Sequence, residues 1–307
     1  MKSLRQEFAD TVLDLGTEHE DLVVFVGDIS HGILQPFAKQ FPDRYYNIGI
    51  CEPTIVNMAA GLSMAGLIPV VHTIAPFLIE RSFEQIKLDF GYQKLGVNLV
   101  SVGGAFDYSK LGCSHHCYSD VALVSQLERS QIFLPGTASE FRELFCSTFE
   151  NGMINYYRLT ENPHNVPLKP ETITSGSAVR VISGDDLTLA VVGPQLGNAF
   201  DVVSGLSQEG VSVELLYFTS LKPFDSEELR NSVERTGALL TVEELSTRSG
   251  LFDRCLRSLA GIDGLMFGQL AIPDFVHTYG TYQELCASIG LDADGIRRKV
   301  LEMIEAR

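Results

Sequence analysis

The stretch Tyr45 to Gly66, YYNIGICEPTIVNMAAGLSMAG, passes from a β-prone run through Gly49 to Glu52 and Pro53, then into small and apolar residues ending at Gly61 and Gly66. Proline at a first helical position has its φ already set and gives up no needed donor. The pattern therefore predicts a strand over Tyr45–Ile48 and a helix entered at Glu52. A carboxylate is thereby placed at a helix entrance beyond a strand end. Ile48, Ile50, Ile55, Val56 and Met58 flank it, and apolar company favours the neutral form of a carboxyl. The same residues also suit an ordinary capping glutamate beside a tight turn.

Working outward, strand and helix patterns alternate on both sides of this stretch. Helical spacing runs from Leu4 to Leu15, and Leu22–Val26 reads as a buried strand ending in Gly27-Asp28. Beyond Gly66 come strand Ile68–Thr73, helix Pro76–Phe90, strand Val97–Gly103, helix Asp120–Arg129, strand Ile132–Leu134, helix Ala138–Glu150 and strand Ile154–Leu159. Such alternation predicts an α/β fold with a mainly parallel sheet covered on both faces, and functional groups at the strands' carboxyl ends. Residues 166–185, rich in Pro, Gly, Ser and Thr, read as a linker. A second alternating set follows: strands Leu187–Val192, Ser212–Tyr217 and Ala238–Val242, helices Gly197–Gln208, Ser226–Arg235 and Gly250–Ala260, and a final pair of helices from Tyr282. The expectation is two three-layer α/β domains, 1–165 and 186–307.

At 307 residues the chain can bury two cores. A net charge of −16 with no basic run offers nothing to attract phosphates along the sequence, so neither nucleic acid nor an anionic membrane is an expected partner. No apolar run has the length of a membrane span, and MKSLRQEFADTVLDLG is patterned as an amphipathic helix instead of a signal peptide, which points to a cytoplasmic setting. The scattered cysteines 51, 113, 117, 146, 255 and 286 read as free thiols.

NIGICEPTIVNMAAGLSMAG resembles the segment of transketolases and related thiamine-diphosphate enzymes in which Gly-Ile-x-Glu leads into a helix of small residues. The resemblance implies that Glu52 is catalytic and binds the cofactor through a hydrogen bond to a ring nitrogen of its aminopyrimidine. In FLIERSFEQIK it implies that Phe77 stacks on that ring and that Arg81 lies beside it. On its own Phe77 reads more readily as a core residue at a helix entrance. The loop GCSHHCYSD, Gly112 to Asp120, is similar to the family's Gly-Pro-Thr-His segment, with Cys113 and Ser114 in place of Pro and Thr. His115 is then the active-site histidine, and His115 with His116 meets substrate hydroxyls. The ligand types at Cys113, His115, His116 and Cys117 also raise a metal reading, but they crowd closer than zinc ligand pairs do, and no metal site is expected there. FTSLKPFD, Phe218 to Asp225, and LLTVEEL, Leu239 to Leu245, resemble the family's carboxyl-terminal domain, with Leu245 where a histidine is common.

The resemblance extends over nearly the whole chain, but the Gly-Asp-Gly motif and its Asn, which hold the diphosphate through a divalent cation, have no match; GDIS at Gly27 to Ser30 comes nearest. The implied protein is therefore the pyrimidine-binding and carboxyl-terminal section of a split transketolase. It would require a separate diphosphate-binding subunit to hold the Mg2+ (or Ca2+), and would form a dimer of this chain within a heterotetramer. The reaction implied is transfer of a two-carbon ketol unit from a ketose to an aldehyde. Departures fall at the substrate end. Glu161 stands where an arginine is expected, and Gly103 and Leu111 where a histidine and an aspartate are, whereas Arg5 matches a phosphate-binding arginine. Glu161 and Arg5 are thus the expected substrate-end residues, and an unphosphorylated or modified sugar is implied. A deoxyxylulose-phosphate synthase-like subunit, a 2-oxoacid dehydrogenase β-like subunit and a non-catalytic assembly subunit are the competing readings.

Overall fold

A computed structural model describes residues 2–307, which form two sheets with helices packed against them. The strands are β1 Leu22–Val26, β2 Tyr45–Asn47, β3 Ile68–Ile74, β4 Val97–Val102, β5 Ser130–Phe133, β6 Ile154–Leu159, β7 Ala178–Ile182, β8 Leu187–Val192, β9 Val213–Phe218, β10 Ser220–Lys222, β11 Ala238–Ser246 and β12 Met266–Ile272. The helices are α1 Leu4–Glu18, α2 His31–Gln40, α3 Glu52–Met64, α4 Phe83–Gln85, α5 Asp120–Ser125, α6 Ala138–Thr148, α7 Leu196–Gln208, α8 Ser226–Thr236, α9 Leu251–Ser258, α10 Tyr282–Ser288 and α11 Ala293–Glu305.

The first sheet has seven strands in the order β10-β5-β6-β4-β3-β1-β2, parallel except for β10. Its central strands are buried on both faces because helices cover both: every residue of β1, β4 and β6 is buried. Local signals set the helix starts. The Ser3 and Thr137 side chains cap α1 and α6 by accepting from Gln6 N and Glu140 N, and Asp225 and Asp292 do the same for α8 and α11.

The second sheet runs β12-β11-β8-β9-β7, with β7 antiparallel to β9. Two of its five strands fall outside the strands expected from the sequence. β7 lies inside the stretch 166–185 read as linker; Val179, Val181 and Ile182 pack against the core, but the run is short and set among Ser and Gly. β12 is an edge strand interrupted by Gly268 and Gln269, so its apolar run is broken. Ile132, Leu134 and Tyr156 of the first sheet share one core with Ala190, Leu216 and Phe218 of the second. The two sheets are thus joined by burial as well as by β10.

Pro76–Phe90 also differs from the single helix its spacing suggests. Pro76–Glu80 and Ile86–Tyr92 are wide π-type turns, with Arg81 N donating to Pro76 O at 3.0 Å and Leu95 N to Phe90 O at 3.0 Å. Each wide turn accommodates an extra residue, a distortion frequent at functional sites.

Candidate active site

Five parallel strands deliver their carboxyl ends to one side of the first sheet. The loops beyond them carry Ser30 after β1, Glu52 after β2, Phe77 and Arg81 after β3, His115 after β4 and Glu161 after β6. The first turn of α1 returns Arg5 to the same side.

Gly49, at φ +80, turns the chain out of β2, and Pro53 starts α3 with Glu52 as its first residue. The Glu52 side chain is 2% exposed, and its Oε2 accepts from Arg81 Nη1 at 2.9 Å. Ile55 and Val56 are buried in the core, but Ile50 and Met58, expected around the carboxylate, face outward at 68% and 41% exposure. The structure thus sets a guanidinium against this carboxylate, where the sequence suggested aliphatic neighbours alone. Oε1 of Glu52 has no partner among the described residues.

The wide turn at Pro76–Glu80 brings Arg81 back over Phe77, the guanidinium carbon 4.2 Å from the ring centroid. The Phe77 ring stands edge-on to the His115 ring, centroids 5.2 Å apart. His115 ends a tight turn, Cys113–His115, and its Nδ1 is 3.0 Å from Ser114 Oγ. Glu52, Arg81, Phe77 and His115 therefore form one continuous group. His116 is turned away: it is 5% exposed, packs against Phe106, and burial lowers its pKa. Cys113 is exposed and Cys117 buried, and no three His, Cys, Asp or Glu side chains converge among the described residues.

From His115 the group continues to a residue the sequence reading missed. The Tyr108 ring lies 6.4 Å from that of His115 and covers Gly103, where an added Cβ would fall 2.3 Å from the Tyr108 ring. Any side chain at 103 is thus excluded while Tyr108 holds its place, which accounts for the glycine. Burial pushes the Tyr108 phenol up to about 12.

Beyond Tyr108, Arg5 donates through Nε and Nη2 to Ser30 Oγ at 3.2 and 3.0 Å, and its Nη1 meets Glu161 Oε1 at 3.3 Å. Ser30 Oγ lies 2.8 Å from Nε2 of His72, whose Nδ1 is 2.8 Å from Val100 O. Burial, with repulsion from Arg5 added, lowers the His72 pKa to about 4, so the ring is neutral. Its Nδ1–H then donates to the carbonyl, Ser30 donates to Nε2, and the Ser30 oxygen is left to accept from Arg5. Sequence spacing offers no sign of this relay, because Ser30 and His72 are 42 residues apart. The one local hint is a histidine within an otherwise apolar strand.

Under the loop from Gly103 to Ser119, Arg158 donates to Asp120 at 3.3 Å and to the Glu244 carbonyl at 3.0 Å, and Tyr156 OH donates to Asp120 at 2.5 Å. Asp107, within the loop, accepts from Asn162 Nδ2 at 2.8 Å and Thr160 Oγ1 at 3.3 Å, so it grips the residues on either side of Glu161. Burial and the nearby Glu244 carboxylate push Asp107 up to about 7.

Two family models divide the chain: the transketolase pyrimidine binding domain matches residues 1–154 and the transketolase C-terminal domain residues 176–296. An apulose-4-phosphate transketolase subunit from Phocaeicola vulgatus is 30% identical over 308 residues, spanning 99% of this chain and 98% of that one. A 6-deoxy-6-sulfo-D-fructose transketolase subunit from a Clostridium species is 25% identical over 99% of this chain and 95% of its own. A solved split-gene transketolase, described as an inactive β4 tetramer, superposes with a TM-score of 0.90 at 29% identity, covering 99% of both chains. The chain belongs to the transketolase family, as the subunit that carries the pyrimidine-binding and C-terminal domains of a two-component enzyme.

Proposed function

We propose that this subunit binds and activates the aminopyrimidine half of thiamine diphosphate and contributes the substrate cleft of a ketol transferase. The observation that carries the reading is the buried Glu52 carboxylate, set beside the Phe77 ring and His115 with one oxygen unpartnered. These residues fit an aminopyrimidine: Phe77 is a flat apolar platform, and the Glu52 carboxyl can hold a proton against a ring nitrogen. When bound, the cofactor supplies the nucleophilic carbon and the electron sink for carbon–carbon cleavage. Glu52 exchanges a proton with the ring, Arg81 steadies the Glu52 carboxylate, and the buried base of the group keeps water from that proton. His115, open to the cleft, donates to or accepts from a substrate hydroxyl.

The substrate's far end extends past Tyr108 to Arg5, Ser30 and Glu161. Both relatives above act on sugars carrying an anionic group, and Arg5 is the cation available for one here. Glu161 already occupies Arg5, so an anionic substrate has to displace or share that contact. An unphosphorylated sugar, or one whose modification carries no charge, meets no such competition. The diphosphate and its Mg2+ (or Ca2+) would be held by the separate partner subunit. Two copies of each chain then complete two sites in a heterotetramer, with exposed Met58, Leu88 and Tyr92 on the surface that pairs the copies of this one.

Reconstitution with the diphosphate-binding subunit tests the reading. Glu52→Gln should lower kcat by about 10²–10⁴-fold, the range of general acid–base catalysis, with light scattering still reporting two copies of each chain. Full activity in the Gln variant would leave this subunit a structural role only.

A further inference from the structure

The sequence contains no basic run, but the fold assembles one. Where α5 of the first domain faces the β11–α9 connection of the second, Arg248, Arg254 and Arg257 line a groove of about 640 Å3 together with Ser119, Ser249 and Gln126. Of the other arginines in the second domain, all but Arg298 are spoken for: Arg180 pairs with Glu228, Arg235 with Glu214, Arg297 with Glu209, Arg230 with Glu234 and the Ser258 carbonyl, and Arg307 with the Asp186 carbonyl. Side chains of Arg248, Arg254 and Arg257 take no acceptor at all among the described residues. In a chain of net charge −16, three guanidinium groups without a salt bridge, gathered on one concave surface with a single carboxylate, stand out against an otherwise acidic field. Arg254 is half-buried, and burial together with repulsion from Arg257 lowers its pKa, opposed by Asp253, the carboxylate in the groove. The groove has the volume of a small-molecule site, and its hydroxyls add donors for oxyanions.

We propose that this groove is a binding site for a small, multiply charged anion of the phosphate-ester or diphosphate class, separate from the substrate cleft. It adjoins the active-site loop directly, since Ser246 N donates to Tyr118 O at 3.0 Å and Ser119 is common to the loop and the groove. An anion drawing Arg248 and Arg254 together would therefore bear on the loop that carries His115.

The test is calorimetric titration of the full chain with sodium pyrophosphate in metal-free buffer. Saturable binding of one pyrophosphate per chain is expected, weakening as salt is raised. The Arg254→Gln, Arg257→Gln double variant should lose at least about tenfold in affinity, the value of one charge-assisted contact, with an unchanged thermal midpoint. Arg248→Gln, at an exposed position, gives a second reading in the same direction should the double variant fold poorly. Arg5→Gln should leave the titration unaltered. Absence of saturable binding, retention of full affinity in the groove variants, or loss on Arg5→Gln would each overturn the proposal. So would failure to bind pyrophosphate combined with loss of partner assembly in Arg254→Glu, which would make the groove a docking face for an acidic segment of the other subunit.

Discussion

Glu161 restrains Arg5. Their ion pair, with side chains 34% and 29% exposed, competes directly with any anionic group that a sugar presents to the same guanidinium. Glu161→Gln should lower KM for a phosphorylated aldehyde by about two- to five-fold relative to its free sugar, the worth of a half-exposed ion pair, and steady-state comparison of the two acceptors checks it. An unchanged ratio would place the substrate's far end elsewhere. Glu52 and Phe77 were legible because each follows a strand within a few residues beside a proline, and His115 because it closes a run of small and ligand-type residues well beyond β4. Ser30 and His72 were not, since their relay arises only when separate strands are laid side by side, nor was Tyr108, whose place is set by how the loop folds back over Gly103. The position of Glu161 was readable, but its pairing with Arg5 was not, because 156 residues separate them.

The element that holds the cleft is the loop from Gly103 to Ser119, pinned at its base by the Ala105–Cys117 bridge and from below by Arg158. Gly104 permits this, because a Cβ there would fall 1.9 Å from Arg158 Nε. Gly104→Ala should thus cost about 1–3 kcal/mol of stability, as overpacking does, and lower kcat through a displaced His115. Gly205→Ala is the comparison, since Gly205 lies within α7 with nothing within 4 Å of its added Cβ, and should be neutral or stabilising. Equal denaturation midpoints for the two variants would show that Arg158 gives way freely. Spacing along 76–90 indicated a helix but not its wide turns, because periodicity reports which residues face the core and not whether a turn closes on the fourth or fifth residue.

Across the whole molecule, buried carboxyls make stability depend on pH. Asp107 and Glu243 are each pushed up to about 7, chiefly by burial, so the native chain keeps protons that the unfolded chain releases above the ordinary carboxylate range. Their contribution is greatest in acid and is lost as pH climbs to about 7; His72, neutral when folded, acts oppositely and costs stability as pH falls from about 6.5 toward 4. Asp107→Asn retains the acceptor for Asn162 without the charge. Its Tm relative to the parent should rise by a few degrees between pH 5 and pH 8, given about 1.4 kcal/mol for each pKa unit, and a constant gap across that range would mean that Asp107 titrates normally. At this scale the alternating pattern disclosed two α/β units and the order of most elements. It did not disclose that β10, three residues long and following β9 after a single residue, crosses to the other sheet.

That crossing has a consequence for the order in which the protein is made. The first sheet ends at β5 until β10 arrives, and β10 emerges from the ribosome only after β7, β8 and β9 of the other sheet. During synthesis the amino-terminal half therefore exposes a bare strand edge to every neighbouring nascent chain, the kind of edge that recruits foreign strands. A gene split that also separated these two domains would make that exposure permanent, whereas one that keeps them in a single polypeptide lets the later half close the earlier one.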